Sequence, residues 1–337
     1  MILTIFGYPK TGKTSLYNIL TGQKLETSKF AASTSESHQA IVEVPDDRLA
    51  RLAALFDTPP VYARIEYFDT GQIAFGESKS STFLDLLRRG DGLLHVVRAF
   101  EDPEILHPME NVDPERDMRR MEEELCTVDY LSVEKRLERL AGEIRKTRSK
   151  ELMAEEELLS RFRDHLEAQN PLRTLPLTPE ERSMVRGFSF LSLKPLLHLI
   201  NTDEDGYHAW LSHEMAPENG VGRLVFCARL EAELLDLDPE DRRVFQEDFG
   251  LGDYRYIRDR LIHTSYRLLS LQSFFTVGSD ETRAWTVPCG ATAWEAAGKI
   301  HSDIQKGFIR AEAIAWDVFL AAGSFPAAKD RGLLRLE

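Results

Sequence analysis

A short glycine-bearing stretch near the start of the chain constrains the fold more than any other feature. Residues 7–15 read GYPKTGKTS and fit G-x-x-x-x-G-K-[ST], between an apolar run at 2–6 and a helix-like segment. Gly7 and Gly12 let the backbone bend so that its N–H groups point at one spot at a helix N-terminus, where a phosphate binds. We expect Lys13 to reach the β- and γ-phosphates of a nucleoside triphosphate and Thr14 to coordinate Mg²⁺. The loop residues predicted to contact the nucleotide are Gly7, Lys10, Thr11, Gly12, Lys13, Thr14 and Ser15.

The bulk composition sets the class of protein. A chain of 337 residues is long enough for two or three domains, and its net charge of −14 argues against a generally basic surface. Any contact with nucleic acid must therefore come from a local patch, and we expect no DNA partner. The three cysteines have no metal-ligand spacing, which is typical of a reducing compartment. With neither a membrane-length apolar run nor a signal peptide pattern, the sequence predicts a cytoplasmic protein.

Two further segments are candidates for the metal and γ-phosphate end of the site. Residues 23–40 are rich in Ser and Thr without helical or strand periodicity, and Thr34 is the candidate there to complete the Mg²⁺ shell. Asp69 ends a predicted strand at 65–69, a position from which a carboxylate can hold the metal. The usual continuation is D-x-x-G, but here Gly71 comes one residue early and Gln72 takes the fourth position. Either this loop is shorter, or sensing of the γ-phosphate is altered.

The base-recognising end is predicted from two later strand ends. The strand before Asn201 runs into NTDE, where GTPases have N-K-x-D. Thr202 and Glu204 replace the Lys and Asp that read guanine, so a strict guanine reader is not expected. Another strand ends at Cys227 and Ala228, the usual place of a second base-contacting loop.

The middle and the end of the chain have a different character. From about 113 to 169, apolar residues recur at helical spacing with high charge density, which predicts a long antiparallel helical pair. The basic stretch 135–150 is either a solvated coiled-coil face or an arm that touches RNA phosphates. Past residue 261, two strands at 273–278 and 282–288, a helix and a strand at 308–315 indicate a small β-grasp-like α+β unit.

Taken together, these pieces resemble the YchF-type, Obg-like ATPases of the translation-factor-related class of P-loop GTPases. The resemblance runs through nearly the whole chain. The segments that carry it are the P-loop with Leu16, Asn18 and Leu20-Thr21; Val44-Pro45-Asp46 with Arg48-Leu49; the run 95–102; 191–195; 201–204; 274–278; and, most specifically, 283–286, 296–301 and 306–311.

The resemblance implies an α/β P-loop NTPase fold with two additions. A G domain of residues 1–118 and 190–268 is interrupted by an α-helical coiled-coil domain of residues 119–189. A C-terminal α+β, β-grasp-like TGS domain follows at 270–337, incomplete at its C-terminus. The implied activity is slow, Mg²⁺-dependent hydrolysis of ATP with some use of GTP. The implied partner is the ribosome or a ribosomal subunit, whose rRNA is contacted through the coiled-coil and TGS domains.

The resemblance also assigns roles to single residues. Thr34 falls on the switch I Thr of the family, and Asn201 with Glu204 falls on its N-x-x-E, which favours adenine. His107 is the candidate to position the attacking water beside Lys13, because the family has a His in this loop. The alternatives are an ATP-binding adaptor whose degenerate switch regions do not hydrolyse nucleotide, and a GTPase that prefers GTP. The departures at Lys10-Thr11 and in both switch regions indicate a diverged paralogue.

Overall fold

The computed structural model describes residues 1–23, 25, 38–71, 81–147, 149–248 and 256–337. Thr34 and Gln72 lie outside these ranges, so the predicted role of Thr34 and the predicted alteration of the loop at Gln72 stay predictions. Every helix within them is too short or too polar to cross a lipid bilayer.

The strands and helices within the described ranges follow the predicted order. The strands are β1 (Ile2–Phe6), β2 (His38–Glu43), β3 (Pro60–Val61), β4 (Arg64–Asp69), β5 (Gly92–Arg98), β6 (Leu196–Asn201), β7 (Met215–Glu218), β8 (Val221–Phe226), β9 (Leu271–Val277), β10 (Thr282–Pro288), β11 (Glu312–Ala313) and β12 (Arg335–Leu336). The α-helices are α1 (Lys13–Thr21), α2 (Asp47–Phe56), α3 (Ser81–Arg89), α4 (Pro114–Thr147), α5 (Lys150–Glu167), α6 (Pro179–Val185), α7 (Glu204–Leu211), α8 (Ala228–Asp236), α9 (Pro239–Asp248), α10 (Ile257–Leu268), α11 (Ala293–Ile300), α12 (Ser302–Lys306), α13 (Trp316–Ala322) and α14 (Phe325–Asp330).

A seven-stranded sheet forms the centre of the larger part of the chain. Its strand order is β2-β4-β1-β5-β6-β8-β7, and the pairs from β4 to β8 are parallel. Every residue of β5 and β6 is buried, as expected for central parallel strands covered on both faces. The carboxyl ends of parallel strands meet at one edge, where ligands of open α/β sheets bind. That edge brings together the residues after β1, Asp69 on β4 and Asn201 on β6.

The predicted antiparallel helical pair is confirmed as α4 and α5. The first half of α4 packs Met121 and Leu125 into the core that contains Phe6 of β1. Its second half leaves the sheet and buries Val133 and Leu140 against α5. The helix is therefore shared between the two environments, because its apolar stripe continues across both.

The chain separates into two compact units. One consists of residues 1–40 and 66–264, and the other of residues 41–65 and 265–337. The predicted boundaries place 41–65 in the G domain, whereas in the structure this segment groups with residues 265–337. The reason is apolar packing, since Leu52 of α2 is buried in one cluster with Phe319 of α13. The predicted division into three domains stays a prediction.

The C-terminal unit contains the predicted β9–β10 hairpin and the helix α11. Strands β3, β10 and β9 form a three-stranded sheet, and β11 pairs with β12. The strand expected over 308–315 is wrong in its length, because only Glu312–Ala313 is a strand. Ile309 is 90% exposed, so the apolar alternation at this point does not mark a buried face.

Candidate nucleotide-binding site

The loop after β1 has a backbone that only glycine can adopt at two positions. Gly7 has φ of 146° and Gly12 has φ of 96°. A Cβ on Gly7 would lie 2.4 Å from the carbonyl oxygen of Val96, and one on Gly12 would lie 2.3 Å from Nδ2 of Asn201. These approaches are far shorter than van der Waals contact, so both glycines of the motif are fixed by their surroundings.

Lys13 is folded back onto the loop. Its Nζ donates to the carbonyl oxygens of Gly7 at 3.1 Å and Tyr8 at 2.8 Å, and the residue is only 4% exposed. The pKa of Lys13 is lowered to about 8, mainly by burial; Asp69 opposes this shift and the nearby Lys10 contributes to it. The ammonium group is thus charged at neutral pH and held by neutral carbonyls that the oxygens of a triphosphate can replace.

Two oxygen donors for a metal meet beside the lysine. Thr14 Oγ1 lies 3.5 Å from Oδ2 of Asp69, while Oδ1 of Asp69 accepts from the backbone N–H of Gly71 at 3.0 Å. Asp69 is fully buried, and burial raises its pKa, although Lys13 lowers it. A hydroxyl next to a buried carboxylate suits Mg²⁺, which takes one or two protein oxygens and completes its shell with phosphate and water.

The other predicted loop residues support this geometry. Lys10 is in the left-handed region with φ of 62°. Thr11 is buried, and its hydroxyl donates to the carbonyl of Tyr8 at 3.1 Å. Ser15 lies half-buried in the first turn of α1.

Asn201 ties the phosphate loop to the base-recognising end. Its Nδ2 donates to the carbonyl of Thr11 at 3.0 Å, and its Oδ1 accepts from the N–H of Ala228 at 3.0 Å. Both ends of the amide are used, and the residue is 3% exposed. Asn201 therefore braces two loops that would flank a nucleotide.

The remaining base-end residues divide between buried and exposed. Thr202 is buried with a hydroxyl that has no partner among the described residues, and Cys227 is buried with its Sγ 3.5 Å from the N–H of Leu230. Ala228 begins α8. Glu204 begins α7 and pairs with Arg229 at 3.2 Å, an ion pair that faces solvent on the arginine side.

His107 is not a solvated loop residue. Its Nδ1 accepts from the N–H of Met109 at 3.1 Å, and its Nε2 lies 3.0 Å from Oδ2 of Asp117 on α4. The ring stands edge-on to that of Tyr8, with centroids 6.2 Å apart. Burial lowers the pKa of His107, against the opposing effect of Asp117. The imidazole is accordingly neutral at pH 7 and lies directly beside the phosphate loop.

Known proteins resemble this chain over nearly its whole length. A family model described as 50S ribosome-binding GTPase matches residues 2–135, and one for the C-terminal domain of YchF GTPases, described as a protein of unknown function, matches residues 271–337. The chain is 36% identical over 345 residues to the ribosome-binding ATPase YchF of Bacillus subtilis, covering 99% of this chain and 93% of that protein. The chain belongs to the YchF family.

Two other members extend the comparison. The ribosome-binding ATPase YchF of Mycoplasma genitalium is 33% identical, over 99% of this chain and 94% of its own length. The structure of the Schizosaccharomyces pombe YchF GTPase superposes with a TM-score of 0.81 at 25% identity, covering 100% of this chain and 93% of that one. The YchF fold therefore extends over the whole chain.

Four residues of this YchF protein contribute to the site without having been predicted from the sequence. Tyr8 packs on His107, Asp117 approaches the same ring, and Arg229 pairs with Glu204. The buried Arg98 donates to the carbonyls of Phe100, Asp102 and Ile105, and so shapes the loop that carries His107. Only two of the four could have been suspected from the sequence. Tyr8 occupies an unspecified position of the P-loop motif, and Arg98 is a charged residue at the end of an apolar strand.

Proposed function

We propose that this chain is a Mg²⁺-dependent nucleoside triphosphate hydrolase that prefers ATP and acts as a nucleotide switch on the ribosome. The observation that carries the proposal is the arrangement of Lys13, Thr14 and Asp69 around one buried point of the phosphate loop. It is supported by relatives whose names describe ribosome-binding ATPases. GTP is proposed as a second, weaker nucleotide, and intrinsic turnover is proposed to be slow.

The phosphate end supplies electrostatic catalysis. A triphosphate takes the place of the Gly7 and Tyr8 carbonyls on Lys13, and the N–H groups of the loop bind its β-phosphate. Thr14 and Asp69 would hold Mg²⁺, which would neutralise negative charge on the triphosphate. Thr34 is proposed as a further ligand.

The covalent step needs a positioned water. Its oxygen forms a bond to the γ-phosphorus, the bond from that phosphorus to the β–γ bridging oxygen breaks, and the bridging oxygen leaves on the diphosphate with the electron pair. The water proton passes to the released phosphate. His107 is proposed to orient this water, since its ring borders the loop at Tyr8.

Base selection is proposed to lie with Glu204 and the loops joined by Asn201. A glutamate carboxylate is an acceptor only, so it can accept from the exocyclic amino group of adenine. Cys227 and Ala228 sit at the start of α8, where the backbone can line the base. Arg229 pairs with Oε1 of Glu204, so one carboxylate oxygen remains to accept from the amino group of adenine, whereas guanine presents two donors, N1–H and its amino group.

The ribosome contact is proposed to include the free end of the helical pair and the C-terminal domain. Lys135, Arg139, Arg145, Lys146 and Lys150 are exposed on that end, whereas Arg136 is held by Glu143 and Glu155. Exposed lysines and arginines in such a cluster favour RNA phosphates even in an acidic protein. Because the proposed partner is the ribosome, we also propose a cytoplasmic location.

A single-turnover assay with ATP and with GTP, each with and without ribosomes, tests the proposal. We expect hydrolysis of ATP to exceed that of GTP and to rise when ribosomes are added. Lys13→Ala should lower the rate by about 100- to 1,000-fold, because it removes a charge from the transition state. His107→Ala should lower kcat by about 100-fold with little effect on nucleotide affinity. No turnover under any condition would instead support a non-hydrolysing adaptor, and faster use of GTP would overturn the base assignment.

A further inference from the structure

Both nitrogens of the His107 ring are already engaged. Because Nδ1 accepts the N–H of Met109, the neutral ring carries its proton on Nε2, next to Oδ2 of Asp117. The Nε2–H direction is poorly aligned with that oxygen despite the 3.0 Å separation. A ring in this position has no free lone pair to accept a proton from water, and its only N–H faces a carboxylate.

Asp117 is itself held firmly. It is 1% exposed, and its Oδ1 accepts from Nε of Arg116 at 3.0 Å and from a second Arg116 nitrogen at 2.9 Å. Arg116 also donates to the side chain of Asn111 at 2.6 Å and to its carbonyl at 2.7 Å. This network joins the first turn of α4 to the loop that contains Met109, so the carboxylate and the N–H that hold His107 belong to one rigid support.

The third contact of the ring is the part that a nucleotide can change. Tyr8 lies edge-on to His107, and the Tyr8 carbonyl accepts from both Lys13 and Thr11. When Lys13 moves to a phosphate, the Tyr8 carbonyl loses the shorter of these two hydrogen bonds. A Tyr8 that shifts as a result would no longer support the His107 ring, whereas the contacts of His107 with Asp117 and Met109 do not involve Lys13.

We propose that Asp117 is a positioning residue that holds His107 away from the reacting water until a bound triphosphate releases the ring. This inference rests on the role proposed above for His107. Its consequence is that intrinsic hydrolysis is slow because a bound triphosphate releases the ring in only a fraction of the molecules. A poorly aligned contact suits such a latch, because a small gain in binding free energy from the triphosphate is enough to break it.

The variant Asp117→Asn tests this directly. It removes the negative charge next to Nε2 and keeps the size of the side chain, so the released fraction of His107 should rise. We expect kcat for ATP without ribosomes to increase about 3- to 10-fold. Nucleotide affinity should tighten by no more than about 2- to 3-fold, because a triphosphate that releases the ring binds better when the latch is weaker. Glu115→Gln is the matched control, because it neutralises a carboxylate in the same helical turn that pairs instead with Arg223 at 2.8 Å. This control should leave kcat unaltered.

The double variant with His107→Ala separates the two proposals. If the latch acts through His107, the double variant is as slow as His107→Ala alone. A kcat for Asp117→Asn that equals or falls below that of the parent, in a protein with an unchanged melting temperature, overturns the latch. If His107→Ala itself leaves kcat unchanged, the error lies in the role of His107 under the proposed function.

A measurement on the unaltered protein decides the case if Asp117→Asn does not fold. Long-range ¹H–¹⁵N NMR spectra report which imidazole nitrogen carries the proton, and His107→Ala assigns the signals. Without nucleotide we expect His107 as the Nε2–H form with Nδ1 accepting a hydrogen bond. Addition of Mg²⁺ with a non-hydrolysable ATP analogue should shift both nitrogen signals. Signals of His107 that do not move on saturation with the analogue overturn the proposal.

Discussion

The two ends of the nucleotide site are built in different ways. At the phosphate end, charged groups are buried and close contacts fix the backbone, as with Lys13 and Asp69. At the base end, Glu204 is held by Arg229, whose side chain is 76% exposed. Asn201 is the brace between them. The phosphate end is therefore intolerant of change, whereas the base end rests on a weak, solvent-screened contact.

The difference separates two properties of the protein. Binding and hydrolysis of a triphosphate depend on the rigid end, where a displacement of about 1 Å costs a large factor in rate. Under the proposed function, the choice of base rests with Glu204 and its solvent-exposed partner Arg229, where single substitutions can alter the preference without loss of the fold. Variation at the base end is consequently the simpler route to a new nucleotide preference.

Gly12→Ala is the strongest test of the rigid end. A Cβ there would lie 2.3 Å from Asn201 Nδ2 on a residue with φ of 96°, so the brace and the loop must both move. We expect hydrolysis to fall about 100-fold and the free energy of unfolding to fall by about 1–3 kcal/mol. Chemical denaturation and the single-turnover assay measure the two effects.

Gly142→Ala is the matched control for this change. Gly142 lies within α4, and a Cβ there meets nothing within 4 Å. Because alanine favours a helix over glycine, stability should rise by about 0.5–1 kcal/mol with no change in hydrolysis. Full hydrolysis by Gly12→Ala would show that the phosphate end is more adaptable than its contacts indicate.

The second prediction concerns the layer directly beneath the phosphate end. His95 and His198 on β5 and β6 are buried with their Nδ1 atoms 3.0 Å apart, and His95 lies against Gly7. Burial lowers the pKa of both rings. Below the ordinary pKa of about 6.5, the unfolded chain binds protons that the native pair does not bind. The free energy of unfolding therefore decreases with falling pH, by up to ~1.4 kcal/mol per pH unit for each ring.

This pH dependence is measured by urea denaturation at pH 7.5 and pH 5.5. His198→Asn should show a shallower loss of stability with falling pH than the parent, and the exposed His208→Asn should match the parent. Burial raises the pKa of Asp129 to about 6, which adds an opposite slope, but the comparison between variants cancels it. Equal slopes for all three proteins would mean that the pair is charged in the native state.

Arg229→Ala should have the smallest effect of these substitutions. It should change only the preference between ATP and GTP. The substitution frees the Glu204 carboxylate, which can then accept from the N1–H and amino groups of guanine. We expect the affinity for GTP relative to ATP to rise about 2- to 5-fold, with kcat unchanged. Competition binding measures the ratio.

Arg243→Ala serves as the control for this substitution. Arg243 is 75% exposed and pairs with Glu247 on α9, so its loss removes an equivalent charge away from the base end. An equal change in the GTP-to-ATP ratio in both variants would assign the effect to net charge. A loss of hydrolysis in Arg229→Ala would show that the two ends are not separable.

Much of the fold followed from local patterns. The strand, glycine loop and helix at the N-terminus, the helical pair and the β9–β10 hairpin were all predicted, because each has a strong period or a motif. The strand expected at 308–315 was too long, because only Glu312–Ala313 pairs, with β12, and Ile309 is exposed. The packing of 41–65 with the C-terminal part was not predicted either. The apolar face of α2 indicates that the helix is covered, but not which part of the chain covers it.

The sequence by itself determined the phosphate chemistry. Gly7, Gly12, Lys13 and Thr14 are contiguous, so their geometry follows from the backbone of one loop. Only the tertiary structure decided what surrounds that loop: Asn201 as a brace, Asp117 and Tyr8 around His107, and Arg229 on Glu204. These contacts join residues far apart in the chain through side chains, and no local period or motif encodes which distant side chain will fill a given space.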